Sequence, residues 1–195
     1  MCRHIKGDIN TSHIPIVLLT ARTDKDSKIT ALDAGADSYI EKPFSTSHLK
    51  AQLSNLLRKR EMMLKNFTSD PMTEYTSFQG EQDKKFIDKC STVILENIQD
   101  PEFSVNTLAA EMGMSRTSLF TKIKGLADMT PNDFIKLTRL KQASRLMAET
   151  DYRVTEIRFL VGFNSSSYFA KCFQKQFGIL PAQFLKNIRN ERQSD

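Results

Sequence analysis

The chain has 195 residues, 39% of them hydrophobic and 26% charged, with 7 Gly, 6 Pro and no Trp. Lys and Arg number 28 against 23 Asp and Glu, a formal charge of +5. This balance excludes collagen-like, mucin-like and wholly disordered chains, and the length suits one large domain or two small ones with separate cores.

The longest apolar run, Ile14 to Leu19, is far too short to span a bilayer, and the N-terminal residues lack the basic and apolar regions of a signal peptide. No membrane contact is expected from this segment. Cys2, Cys90 and Cys172 are odd in number and widely spaced, which points to reduced thiols in a cytoplasmic protein. The histidines His4, His13 and His48 make no metal-binding spacing with each other or with cysteine. The chain has no glycine-rich phosphate loop and no G-x-S-x-G elbow, and carboxylates such as Glu96 and Asp100 read as solvated helix faces. No self-contained enzyme, metal site or resident cofactor is expected.

Residues 14–19 predict a short strand buried on both faces of a parallel sheet, ending at Thr20-Ala21. Residues 24–34 read as a short helix stopped by Gly35, and Ser38-Tyr39-Ile40 as a second strand closed by Glu41-Lys42-Pro43-Phe44. Leu49, Leu53, Leu56 and Leu57 stand at helical spacing and begin a long helix running toward Lys65. The β-α-β-α order is that of the second half of a doubly wound, flavodoxin-like α/β domain. Residues 1–65 are assigned to it. Residues 66–81 lack periodicity and read as a linker, and the remainder, 82–195, is predicted to be all helical.

Within that helical half the chain repeats itself. Leu108, Met112 and Gly113 are echoed 49 residues on by Ile157, Val161 and Gly162. Leu119 and Ile123 are echoed at 50 by Phe169 and Phe173, and Thr130-Pro131 through Lys136 by Leu180-Pro181 through Lys186. Each copy has a short apolar helix, a glycine able to turn left-handed, a capping serine (Ser115, Ser165) and a second amphipathic helix. These are two helix-turn-helix units, about 104–126 and 153–178. They are joined by a helix over 131–149 that spans roughly 28 Å at 1.5 Å per residue. Residues 76–114 carry 3 Lys+Arg and 7 Asp+Glu, net −4, whereas residues 115–192 carry 14 and 6, net +8. Positive charge thus begins at the first recognition helix, as a surface facing phosphates requires.

Two resemblances follow. Pro15 to Ala21 together with Ala34-Gly35-Ala36-Asp37-Ser38-Tyr39-Ile40-Glu41-Lys42-Pro43-Phe44 resemble the C-terminal half of a response-regulator receiver domain. The resemblance puts Thr20 and Lys42 at the positions that bind and signal the phosphoryl group of an acceptor aspartate. The N-terminal half, with that aspartate and the acidic pair holding Mg2+, is expected to be missing, so this chain reads as a fragment that is not itself phosphorylated. Residues 104–187 resemble the AraC-type DNA-binding domain, through Leu108-Ala109, Gly113-Met114-Ser115, Leu119, Val161-Gly162-Phe163, Tyr168-Phe169, Phe173, Phe177-Gly178 and Pro181. That family implies seven helices with two recognition helices in successive major grooves, about 34 Å apart.

On the first recognition helix the resemblance brings Thr117, Phe120 and Thr121 to base edges. Phe120 either meets thymine methyls or packs on a neighbouring helix. Arg116 also faces outward, and Lys122 and Lys124 are expected on phosphates. On the second, Ser166, Ser167 and Lys171 approach bases, Lys175 lies on the outward face, and Asn164 and Ser165 offer backbone N–H groups to a phosphate. Arg158 departs from the family, which has a small residue there; it implies either altered packing or a guanidinium reaching solvent or a phosphate. The expected protein is a transcription regulator at the output end of a hybrid two-component phosphorelay. Its partners would be double-stranded DNA, a second copy through an intact receiver, and a sensor histidine kinase, inside or outside the same parent chain. Members of that group often control carbohydrate-utilisation genes. The alternative is an interaction module that docks a kinase without specific DNA binding.

Overall fold

The structure, a computed structural model, describes residues 1–8, 11–21, 25–69, 71–72 and 80–192. Asp24 of the helix expected over 24–34, half of the expected linker and residues 193–195 lie outside the described residues.

The chain opens with α1 (Cys2–Gly7), β1 (Val17–Thr20), α2 (Lys25–Asp33), β2 (Ser38–Glu41) and α3 (Thr46–Ser69). β1 and β2 pair in parallel, with Val17 opposite Ser38 and Thr20 opposite Glu41. Such a pairing needs a crossover, and α2 supplies it. Gly35, at φ +89, makes the left-handed turn out of that helix.

The first strand differs from expectation in two ways. It begins at Val17, because Ile14 and Pro15 belong to the loop before it, and it is not buried on both faces. Leu19 is 43% exposed and its neighbours are half-buried. Among the described residues the sheet has two strands, so β1 has one partner and incomplete cover. Apolarity marked the strand, but neighbours decide its burial.

Helices α4 (Glu81–Glu96), α5 (Val105–Glu111), α6 (Arg116–Ala127), α7 (Pro131–Glu149), α8 (Val154–Leu160), α9 (Ser166–Phe177) and α10 (Pro181–Arg192) form the second unit. Pro131 starts α7 and Pro181 starts α10, where the missing N–H is no loss. Two cores lie side by side. Phe86, Ile94, Leu108, Leu119 and Ile123 centre the first; Ile157, Val161, Phe169 and Phe173 centre the second. α7 serves both, giving Phe134, Ile135 and Leu137 to one and Leu140, Ala143 and Met147 to the other. The second core is aromatic: Phe173 meets Phe169, Phe177 and Phe184 with ring centroids 5.8, 4.9 and 5.5 Å away.

α3 is longer than its leucine spacing suggested. It continues past Lys65 to Ser69, into the stretch expected to be linker. Phe67 is fully buried in the first core, 6.5 Å from Phe134 between ring centroids, and the Lys141 ammonium lies 5.1 Å over its ring. α3 is therefore also a wall of the helical unit. Cys2, Cys90 and Cys172 are free, and burial pushes the Cys90 thiol up to about 12. Phe67→Ala is expected to cost about 3–5 kcal/mol, the range for deleting a buried phenylalanine. Denaturant unfolding followed by the helical signal of the full chain measures it.

Candidate nucleic-acid interface

Local chemistry builds both helix-turn-helix units in the same way. α5 ends at Gly113 (φ +65) and α8 at Gly162 (φ +76), conformations that disfavour a side chain. At Gly162 a Cβ would also collide with the Ile98 carbonyl. The Ser115 hydroxyl accepts the Ser118 N–H at 3.1 Å and the Ser165 hydroxyl accepts the Tyr168 N–H at 3.2 Å, so each recognition helix starts on a serine cap. Leu119 and Ile123 seat α6 on its core, and Phe169 and Phe173 seat α9.

The opposite faces are open. On α6, Arg116, Thr117, Phe120, Thr121 and Lys124 are exposed, with Phe120 46% accessible. Thr117, Phe120, Thr121 and Lys124 follow i, i+3, i+4, i+7 spacing and form one stripe. Phe120 is therefore not a packing residue. On α9, Ser166, Ser167, Lys171, Gln174 and Lys175 are exposed, and Asn164 and Ser165 stand exposed at its start. Lys124 pairs with Asp128 at 2.8 Å in solvent, an exposed pair weak enough to be exchanged for a phosphate. Tyr168, 51% exposed, carries part of the family-like motif but is not among the expected DNA contacts. It precedes core Phe169 by one residue, so it lies about 100° round the helix from the core, beside Ser167 and Lys171.

Lys122 corrects the sequence reading. Expected on a phosphate, it is fully buried on the inner side of α6. Its ammonium donates to the Asp83 carboxylate at 2.6 Å and to the Ser12 hydroxyl, while Ser12 donates to the same Asp83 oxygen at 2.6 Å. Burial holds the Lys122 pKa below the usual lysine range, partly offset by Asp83. The 50-residue repeat held a signal for this: Lys122 corresponds to Cys172, which packs partly buried against the second core.

Arg158 is also settled. Its guanidinium turns back along its own chain and donates to the Phe163 carbonyl, bracing the turn between α8 and α9. In the receiver portion, Thr20 closes β1 and Lys42 follows β2, and the Lys42 N–H donates to the Thr20 carbonyl at 2.7 Å. The two lie at the same end of the sheet, Thr20 half-buried and Lys42 exposed. Among the described residues no group of three His, Cys, Asp or Glu could hold a metal ion.

Two capped helices presenting polar and basic faces, joined by one long buried helix, form a double helix-turn-helix unit of the kind that binds DNA. Residues 1–54 match the family model of the response regulator receiver domain, and residues 108–187 that of a helix-turn-helix domain. The chain therefore carries receiver sequence ahead of an AraC-type helix-turn-helix domain. It is 38% identical over 185 residues, 94% of its length, to Histidine kinase P4 of Formosa agariphila, of which it covers 14%. It is 48% identical over 59 residues to the phosphate regulon transcriptional regulatory protein PhoB of Pseudomonas aeruginosa, covering 30% of this chain and 26% of that one. The DNA-binding domain of AdpA, solved in complex with a target DNA, matches at 29% identity and TM-score 0.50, over 56% of this chain and 97% of that one. The chain thus spans well under half of these two full-length relatives. Among the described residues no helix is long and apolar enough to cross a membrane.

The exposure pattern separates two kinds of lysine. Lys171→Ala is expected to lower the slope of log affinity against log salt by about 0.9, one phosphate contact. Lys122→Met should leave that slope unchanged while destabilising the fold by roughly 3–5 kcal/mol, because Asp83 stays buried without its cation. DNA titrations at several salt concentrations, with melting curves of each variant, check both.

Proposed function

We propose that the protein is the output end of a hybrid two-component phosphorelay and that α6 and α9 read a bipartite DNA site. The observation that carries this reading is the pair of capped, outward-facing recognition helices held on the single helix α7. Thr117, Phe120 and Thr121 on α6 meet the base edges of one half-element, with the Phe120 ring against thymine methyls. Ser166, Ser167 and Lys171 on α9 meet those of the other. Arg116, Lys124 and Lys175, with the backbone N–H groups at Asn164 and Ser165, hold phosphates and set register without reading sequence. The AdpA domain's complex with a target DNA supports this use of the fold.

The likeness to Histidine kinase P4 along nearly the whole chain supports a sensor kinase as the upstream partner, within the same parent polypeptide. In the intact receiver the Thr20 hydroxyl bonds a phosphoryl oxygen and the Lys42 ammonium offsets its charge. The resulting shift in receiver surface brings two copies together on adjacent DNA sites.

Selection of genomic fragments by the full chain at two salt concentrations, followed by sequencing, tests the reading. The expected product is a site with two half-elements about one helical turn apart. Phe120→Ala should weaken binding to it about tenfold and relax preference in one half only, as the loss of a base contact worth roughly 1–3 kcal/mol requires. The recovered genes also test whether carbohydrate utilisation is under this control. Uniform retention that vanishes with salt would instead favour a docking module with a generic basic surface.

A further inference from the structure

The buried Lys122 lies at a seam between the two units. Its partner Asp83 belongs to α4, but Ser12 comes from the receiver portion, 110 residues away in sequence. Beside it the His13 ring packs directly on Gly125, where a Cβ would collide with the imidazole Cδ2 and Nε2. Lys122 lies on the inner side of α6, two residues and about 200° round the helix from Phe120, and Gly125 lies on its flank, about 40° round from Thr121, so the receiver grips α6 from behind and from one side.

The gripping loop is itself anchored in the receiver. Lys6 donates to the carbonyls of Ser12 at 3.2 Å and Ile14 at 2.9 Å, and pairs with Asp37 at 2.8 Å. Asp37 also accepts the Ile16 N–H at 2.7 Å, just before β1, and Arg60 of α3 donates to the His13 carbonyl at 3.4 Å. The loop therefore moves with the sheet that ends at Thr20. A second and separate receiver contact reaches the other recognition helix: Gln176 of α9 donates to the Thr68 carbonyl at the end of α3, at 2.9 Å.

A buried lysine is an expensive way to join two surfaces, since apolar residues of similar volume pack with less desolvation. What the polar contact adds is a fixed geometry, in which one carboxylate oxygen receives both the ammonium and the hydroxyl. We propose that Ser12 and His13 of the receiver portion, seated on Lys122 and Gly125, are positioning residues that set the pose of the first recognition helix relative to the second. Displacing the loop against α3 changes the spacing between the two DNA-reading helices, and so changes which half-element spacing the protein prefers. This rests on the DNA-reading roles of α6 and α9.

Gly125→Ala and Ser12→Ala in the full chain test it. Gly125 has ordinary helical geometry, and alanine favours a helix there by about 1 kcal/mol over glycine. The helical unit of Gly125→Ala therefore folds while His13 is expelled. Hydrogen exchange gives the first readout: residues 116–127 should exchange at least threefold faster in both variants, with residues 166–177 unchanged. The second is affinity for DNA carrying both half-elements, with their spacing varied by single base pairs. Both variants should lose at least threefold preference for the wild-type spacing without losing affinity for the half read by α9. Unchanged exchange in α6, or an unchanged spacing preference in a chain that binds specifically, overturns the proposal. If the wild type binds no bipartite site, the DNA-reading assignment falls with the coupling built on it, and the exchange result still shows whether the seam holds α6.

Discussion

Everything in the helical unit depends on α7 being buried along both of its halves. Eleven of its 19 residues are buried, from Pro131 to Met147, and they feed two different cores. A helix with one apolar stripe would serve one helix-turn-helix and leave the other loosely tethered. Because α7 belongs to both, α6 and α9 are seated on one shared rod. Arg139 ties its middle to both sides, donating to the Gly162 carbonyl at 3.1 Å and the Asp100 carbonyl at 2.5 Å. The first anchors the turn of the second helix-turn-helix; the second anchors the loop after α4. The polar residue in the centre of the rod registers the two cores against each other.

The parts of this architecture legible in the sequence are those whose cause is local. A glycine needing positive φ, a serine three residues before a free N–H and a proline at a helix start act within one turn of chain, and Gly113, Ser115, Pro131 and their counterparts show it. The repeat made them more legible by writing them twice. The outward stripe on α6 was legible for the same reason, because helical spacing alone separates Leu119 and Ile123 from Thr117, Phe120 and Thr121. Phe67 and Lys122 were not legible. Phe67 stands in a stretch with no periodicity of its own, and it is buried because Phe134 and Lys141 come to meet it. Lys122 reads as solvated by residue type, and its environment comes from Ser12 and Asp83. β1 fails in the other direction: its apolarity is real, but burial needs layers that two strands do not provide.

Charge is legible only as a total, and burial changes its meaning. Residues 115–192 carry 14 cations, of which Lys122, Arg139 and Lys141 are buried. Eleven cations against six carboxylates still leave this segment positive on its surface. The three buried cations do different work: one bonds backbone carbonyls, one lies over an aromatic ring and one closes the seam. The surface is thus less basic than composition implies, and net charge alone carries no sequence information.

The two faces of α6 draw these points together. A recognition helix needs only one face for DNA and one for its core, and α9 is nearly that simple. α6 has a third side, where a small residue and a buried cation admit the receiver loop. Gly125 carries a propensity cost in mid-helix that its counterpart Lys175 does not, and Lys122 carries a desolvation cost that Cys172 avoids. Two helices descended from one pattern would share their costs if both only read DNA. The costs concentrate on α6 because α6 is the helix that the receiver portion touches through side chains from a separate unit, whereas α9 meets α3 through the Thr68 carbonyl alone among the hydrogen bonds described. The asymmetry between the repeats thus coincides with the side of α6 on which the receiver portion sits.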